Sequence, residues 1–399
     1  MKNMFKISGT VRNYGWGGQS FIPELLGFSN DQAKPCAEYW LGAHESAPST
    51  ILDDENSGKP ITELISLNPE GVLGAKLSGK CHALPFLFKV LDVKDMLSIQ
   101  VHPSKESAEV GFEAEDAAGI PVDAPDRNYR DRNHKPELMV ALSDFWLLHG
   151  FKSAEDIRTV LLQRKCYQPM IQILDESGVK GLFEWALSEV SVTESVSRSL
   201  LEVLEKEAEC AKSSPEYWIW KWTRNPEATH RGLLVILMMN VVNIPKGEAI
   251  FQSAGIIHAY LEGQNIEIMA NSDNVLRGGL TEKHMDVEEL IKHTRFETIN
   301  PAESMIPATA VNEFEKWYDA PVEDFLLSEI NLSGESITAC KSDGFEIFFV
   351  FDGSVTVTSD QDPALIVSKG EAFAVTYGSE IQLSSRGCNS RIFRAKTNV

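Results

Sequence analysis

Apolar residues recur at two different periods along this chain, and the change of period divides it into three stretches. Up to about residue 150, short apolar runs alternate with Gly and Pro punctuation, which predicts strands and turns. "LPFLFKVLDVKDMLSIQVHP" (84–103) is the clearest case, with a strand-like run on each side of "DVKD". From Ser153 to about Asn240 the spacing becomes helical. Ser153, with Asp156 three residues on, predicts a helix start ahead of Ile157, Val160 and Leu161. Ser191 and Glu194 predict a second, capping-box start ahead of Val196, Leu200, Leu201, Leu204, Ala208 and Ala211. After about Val241 the strand pattern returns.

The returning strands carry an internal repeat. "IPKGEAIFQSAGIIHAY" begins at Ile244 and "VSKGEAFAVTYGSEIQL" at Val367, and both place an apolar run directly after "KGEA". "FEIFFVFDGSVTVTS" (345–359) precedes the second copy and reads as two strands joined at Asp352-Gly353. Units of this kind suit a double-sheet jelly roll. The expected architecture is therefore two related β-domains with helices inserted into the first. The copies differ at one position: His258 lies 12 residues after Lys246, whereas Ile381 lies 12 residues after Lys369. Any chemistry that needs this histidine is confined to the first copy.

Composition narrows the function. At 399 residues, 43% hydrophobic and 24% charged, the chain can build large cores and is not of disordered type. Its formal net charge of −21 argues against nucleic acid and anionic membrane as partners, and it requires a local positive site for any anionic substrate. No stretch approaches the roughly 20 apolar residues of a membrane span, and the opening residues lack the apolar core of a signal peptide, so a cytoplasmic protein is expected. Six scattered cysteines (Cys36, Cys81, Cys166, Cys210, Cys340 and Cys388), none in a C-x-x-C pair, predict thiols rather than a disulfide framework or zinc knuckle.

Three polar segments interrupt the apolar runs. Gln100 and His102 in "SIQVHP" project from one face of a strand, about 6.5 to 7 Å apart, which suits either two hydrogen-bonded core groups or two ligands on one metal. In "RNHKPELMVAL", Pro136 biases Lys135 toward an extended backbone, so that Lys135 and Glu137 could enter one cavity; a charged loop leading into a strand reads equally well. "HAYLEGQNIEIMANSDNVLRGGLT" (258–281) adds His258, Asp273, Arg277 and a Gly-containing polar loop. Two imidazoles, a carboxylate and an amide oxygen lie within the range of donors that zinc accepts.

These segments, with "YGWGG" (14–18), "AEYWLGAHESAPS" (37–49), "LPFLFKVLD" (84–92), "QVHP" (100–103) and "HKPE" (134–137), resemble the type I phosphomannose isomerases along essentially the whole chain. Two departures are small: Ile257 and Gly278 stand where bacterial relatives often carry Pro and Ala. The resemblance implies a mainly β fold of two cupin-type jelly rolls with an inserted helical domain, divided as 1–152 with 241–300, 153–240, and 301–399. It makes Gln100, His102, Glu137 and His258 the ligands of one zinc ion per chain, with Gln100 bound through its amide oxygen. It makes Arg277 the active-site arginine, and the reaction an interconversion of mannose 6-phosphate and fructose 6-phosphate through a cis-enediol.

Other roles follow from what that reaction requires. Arg277 is always protonated and suits charge stabilisation rather than base catalysis. His134 and Asp273 are candidates for carrying the proton, and Lys135 for donating to an oxygen or binding phosphate. Lys89 is a candidate phosphate counter-charge, and Trp16, Trp40 and His44 are candidates for the sugar-facing wall. A monomer acting on a small sugar phosphate is expected. The alternatives are another cupin metalloenzyme, such as a non-haem iron oxygenase, or a cupin that binds a sugar phosphate without turning it over.

Overall fold

The computed structural model of the protein describes residues 2–52, 56–80, 83–188, 190–205, 210–224, 231–334, 336–387 and 389–398. Ala208, Cys81 and Cys388 lie outside the described residues. The chain opens with β1 (Met4–Ser8), β2 (Thr10–Arg12), β3 (Glu38–Gly42) and β4 (Thr50–Ile51). Next come β5 (Phe86–Val93), β6 (Ile99–Val101), β7 (Glu137–Ala141) and β8 (Phe145–Phe151). After a helical segment follow β9 (Met239–Ile244), β10 (Ala249–Gln252), β11 (His258–Ala270), β12 (Leu276–Gly279) and β13 (Met305–Ile306). The C-terminal series is β14 (Ala308–Ala310), β15 (Glu315–Tyr318), β16 (Leu326–Leu332), β17 (Ile337–Lys341) and β18 (Glu346–Asp352), then β19 (Ser354–Thr358), β20 (Leu365–Ser368), β21 (Ala372–Val375), β22 (Glu380–Ser385) and β23 (Ser390–Lys396).

The fold is mainly β, and its two series of strands share one pairing plan. β7 lies between β10 and β11 as β18 lies between β21 and β23. β8 pairs with β9 and the first half of β11 as β19 pairs with β20 and β22. β5 and β6 flank the two halves of β11 as β16 and β17 flank β23 and β22. The "KGEA" repeat is the turn before β10 and before β21. Its glycines, Gly247 (φ 89°) and Gly370 (φ 82°), take the left-handed conformation that this turn needs. Sheet membership crosses the chain order at the edges: β1 and β4 extend the C-terminal sheet beyond β21, while β13 pairs with β10.

Strands do flank Gly353 as expected, but they are not hairpin partners. β18 belongs to the large C-terminal sheet and β19 to the 4-stranded one, so the chain changes sheets at that turn. The helical segment includes Ala154–Leu161, the run Gln168–Ser188 broken at Gly178, Val190–Leu204 and Pro215–Thr223. Ser153 caps the first, accepting from the backbone N–H of Asp156 at 3.0 Å. Ser191 lies within the third helix, one residue past its start at Val190, rather than ahead of it. A further helix, Lys105–Ala117, interrupts the stretch expected to be strands and turns; Ala108 is its one buried side chain, so it carries little apolar periodicity.

Burial explains the polar interruptions. In β5, β7 and β11 the alternate residues Phe88, Val90, Leu138, Val140, Ile266 and Ile268 pack in a core shared with Ile347, Phe349 and Phe393 of the C-terminal sheet. Ile99, Val101, Leu148, Ala259, Leu261 and Leu276 pack against the helical segment. One face of each strand is thus apolar. The opposite faces line the interior between the two N-terminal sheets, where Leu91, Met139, Leu147 and Ile250 fill one part and polar residues the other.

Candidate metal centre

Antiparallel pairing brings the separated polar residues together. β6 sets Gln100 opposite His258 on β11 and, on its other edge, opposite Arg277 on β12. β7 sets Glu137 opposite Met269 of the same β11 and opposite Gln252. His102, Glu137 and His258, all buried, place their ligand atoms within 4.8 Å of one another. Glu137 Oε1 lies 3.4 Å from His102 Nε2, and Oε2 lies 3.3 Å from His258 Nε2. Gln100 completes the ring, with one end of its carboxamide 3.2 Å from His258 Nε2.

The donor set fits a cation. His102 Nδ1–H donates to the Asn274 carbonyl (2.7 Å) and His258 Nδ1–H to the Ile256 carbonyl (2.9 Å), so each Nε2 presents a lone pair. Burial, reinforced by Lys135, pushes the His102 imidazole down to about 4, which keeps it neutral. Burial opposes ionisation of Glu137, yet its neighbours, the Lys135 ammonium foremost, hold the carboxyl well below its usual range. Two lone pairs and a carboxylate therefore face each other without a proton between them, and His102 Nε2 is buried with no hydrogen-bond partner. A metal ion satisfies all of these atoms at once.

The surrounding residues form two groups. Below the ligands, Lys135 donates to Glu137 Oε1 at 2.7 Å, and Lys89 donates to Glu267 Oε1 at 3.0 Å with Glu38 3.8 Å away. Tyr260 Oη donates to the other Glu267 oxygen at 2.8 Å and receives from Gln252 Nε2 at 3.2 Å. Burial disfavours the Lys89 ammonium, but Glu267, Glu38 and Glu137 raise its pKa overall. Trp40 lies 5.2 Å from Lys89 Nζ and edge-on to His44. The Ser46 backbone N–H donates to His44 Nδ1, which leaves the His44 proton on Nε2, 3.3 Å from Asp273. That hydrogen bond lowers the Asp273 pKa against the effect of burial.

At the mouth lie Arg277, half-buried, with Arg130 and Lys283, both exposed. Burial and then the proximity of Arg130 lower the Arg277 pKa; burial, Arg277 and Arg130 lower that of Lys283. The three cations thus repel one another; Glu38 offsets the repulsion at Lys283 in part, and among the described residues none of the three makes an ion pair. Two loops hold this rim. Asn274, fully buried, accepts from the Arg130 N–H and donates to the carbonyls of Asp131 and Asn133, while Asp131 accepts from Ser272 Oγ and the Asp273 N–H.

Of the residues expected from sequence, Gln100, His102, Lys135, Glu137, His258, Lys89, Asp273, His44 and Arg277 converge here. His134 points elsewhere, with Nε2 2.9 Å from Asp324. Trp16 stacks on Tyr14 beside the apolar part of the interior. Arg130, Lys283, Glu267 and Gln252 were not singled out. Lys283, six residues after Arg277, was the most accessible of these signals; Glu267 and Gln252 read as ordinary strand polarity. The two departures from the family pattern are benign. Ile257 packs in the core under the helices, and an added Cβ at Gly278 would meet the Leu290 side chain at 3.2 Å, a contact that asks for a small shift of a flexible side chain.

Comparison with known proteins agrees with this geometry. A family model described as "Phosphomannose isomerase type I, catalytic domain" matches residues 4–154. The mannose-6-phosphate isomerase of Salmonella typhimurium is 35% identical over 395 residues, 98% of this chain and 99% of that protein. The Escherichia coli mannose-6-phosphate isomerase is 34% identical over 396 residues, and the Homo sapiens enzyme of that name 30% over 390. A crystal structure of the Salmonella typhimurium mannose 6-phosphate isomerase bound to its substrate fructose 6-phosphate and to zinc superposes with a TM-score of 0.89 at 33% identity, covering all of both chains. A zinc-bound holo structure of mannose 6-phosphate isomerase matches equally well, with a TM-score of 0.89. The chain belongs to the type I phosphomannose isomerase family.

Proposed function

We propose that the chain interconverts mannose 6-phosphate and fructose 6-phosphate with one zinc ion held by Gln100, His102, Glu137 and His258. The observation that carries this reading is the buried His102–Glu137–His258 constellation, with its unshared lone pairs, opening onto a rim of three cations that make no ion pair among the described residues. Gln100 joins through its amide oxygen, after a half-turn of the carboxamide. Bound zinc, about +1 after its single carboxylate ligand, supplies Lewis acidity at the sugar oxygens.

The chain's own residues supply the rest. The phosphate sits at the rim on Arg277, Lys283 and Arg130, a positive site set against the −21 field, while the sugar carbons point inward toward the ligands. Arg277, paired in register with Gln100, spans both zones and stabilises negative charge developing on the enediol oxygens. Lys135, buried on Glu137, donates to a sugar oxygen. Asp273 with His44 carries the proton between C1 and C2, in preference to His134, whose ring is engaged by Asp324. Lys89 neutralises Glu267 and Glu38 under the site rather than binding phosphate.

The shared pairing plan supports reading the two sheet pairs as cupin-type jelly rolls, 1–152 with 241–300 and 301–399, that exchange edge strands, with 153–240 as the helical insertion. A cytoplasmic setting fits the expected free thiols. Among the described residues no helix is long and apolar enough to cross a membrane.

The test is a coupled assay of the purified protein on mannose 6-phosphate, before and after chelation and again after zinc is restored. Activity should vanish and return. Failure to form fructose 6-phosphate with any divalent metal overturns the reading. A second measurement checks the rim: Lys283→Ala is expected to raise KM by roughly 10-fold or more, the worth of one charge-assisted hydrogen bond, with kcat little changed. An unchanged KM would place the phosphate elsewhere.

A further inference from the structure

Because the two units share one pairing plan, the site residues on β3, β5, β6, β7 and β11 have counterparts in the C-terminal unit. Gln252, three residues after Ala249, faces Glu137; Val375, three residues after Ala372, faces Glu346. Glu346 is thus the counterpart of Glu137. One strand further, Met139 faces Glu267 and Phe348 faces Arg394, so Arg394 stands where Glu267 stands. Continuing outward, Lys89 and Trp40 correspond to Ser328 and Trp317, and Glu38 to Glu315. In the smaller sheets, His258 faces Gln100 and Ile381 faces Cys340.

The C-terminal unit therefore keeps the carboxylates at the Glu38 and Glu137 positions but none of the neutral ligands. Its Arg394 reaches into the space instead. Nε and Nη2 grip Glu346 as a fork at 2.7 and 3.1 Å, and Nη1 lies 3.1 Å from Glu315 Oε1. All three side chains are buried. A consequence shows at the tryptophans: Trp40 Nε1 donates to Glu38, whereas Trp317 Nε1 is buried without a partner, because Glu315 is turned to Arg394 and Ser328 Oγ.

We infer that the Arg394 guanidinium is the resident cation of the C-terminal unit, engaging both oxygens of the carboxylate that corresponds to Glu137, so that this unit binds no divalent ion. The inference rests on Glu137 being the metal-bearing carboxylate of the first unit. A fixed positive charge on the counterpart carboxylate excludes a metal electrostatically and occupies both oxygens a metal would bind. It also explains how two units of one plan yield a single site.

The test combines metal content with a double-mutant cycle on stability. Wild-type protein dialysed against excess zinc and then buffer should retain one zinc per chain; two retained per chain would overturn the inference. Arg394→Met should lower the thermal midpoint by on the order of 10 °C, since it strands buried carboxylates. Arg394→Met combined with Glu346→Gln should recover a clear part of that loss, because one of the two buried carboxylates needing a cation is gone. If the single variant does not fold, folding of the double variant is the recovery. Additive losses, or no loss in Arg394→Met, would show that the guanidinium is not acting as a counter-cation. The cycle is read without substrate, so its failure is distinguishable from a failure of the isomerase reading.

Discussion

Replacing His258 with alanine is expected to remove the bound zinc and lower kcat/KM by roughly 10³-fold or more, the rate equivalent of several kcal/mol of Lewis-acid stabilisation. The argument is geometric. His258 is the first residue of β11, the strand that joins both N-terminal sheets, and its Nε2 is held toward Glu137 by the Nδ1–H bond to Ile256. Removing the ring deletes one of two neutral nitrogen donors and leaves the backbone pairing with Gln100 intact. The fold should therefore survive, which circular dichroism can check. Glu137→Gln would be a poorer test, because it also strands the buried Lys135 ammonium. Metal content and turnover should fall together. A His258→Ala protein that retained both zinc and activity would dismiss the ligand assignment.

The proposed metal ligands were legible because each is a polar residue in or beside a strand with apolar residues around it, and alternation marks such residues locally. Gln100 and His102, alternating with Ile99 and Val101, are the plainest example: the apolar pair packs under the helices and the polar pair meets His258 and Glu137. Other features depended on partners distant in sequence. Lys89 in its apolar strand reads as a functional cation, yet Glu267, 178 positions away, neutralises it, and only the β5–β11 register reveals that. His134 adjoins the motif residue Lys135, but the loop turns its ring toward Asp324. The rim escaped for a different reason: Arg130 and Lys283 lie in loops, where charge has no period to break.

The fold was legible to the same depth. Periodicity located the strands and the helical insertion, and "KGEA" disclosed the repeat. It could not say that the strands on either side of Gly353 pair in different sheets, or that β1 crosses to the C-terminal sheet, because backbone pairing carries no local signature. The repeat held more than its four letters. Glu38 and Trp40 return as Glu315 and Trp317, and Glu137 returns as Glu346, but at spacings that loops and insertions obscure until the registers are known.

Arg277 should prove the most consequential residue that does not bind the metal. Its strand, β12, pairs with β6 so that Arg277 and Gln100 are neighbours, and the register shifts between Arg277 and Gly279, a bulge of the kind that re-aims a side chain. Burial and the facing Arg130 disfavour the guanidinium in the site relative to solvent, so an anion arriving there relieves an existing repulsion. Because charge on the enediol oxygens grows only as the transition state is reached, the larger loss on removing Arg277 should fall on kcat. Arg277→Met is expected to lower kcat by about 10² to 10³-fold, as for removal of one oxyanion donor, and also to raise KM through the lost phosphate contact. Arg277→Lys should restore part of KM but little of kcat, since a point charge answers the phosphate while the planar two-pronged donor is lost. Zinc content should stay at the wild-type level in both variants, which separates this role from metal binding. Retention of wild-type kcat in Arg277→Met would move charge stabilisation to Lys135, the next cation inward.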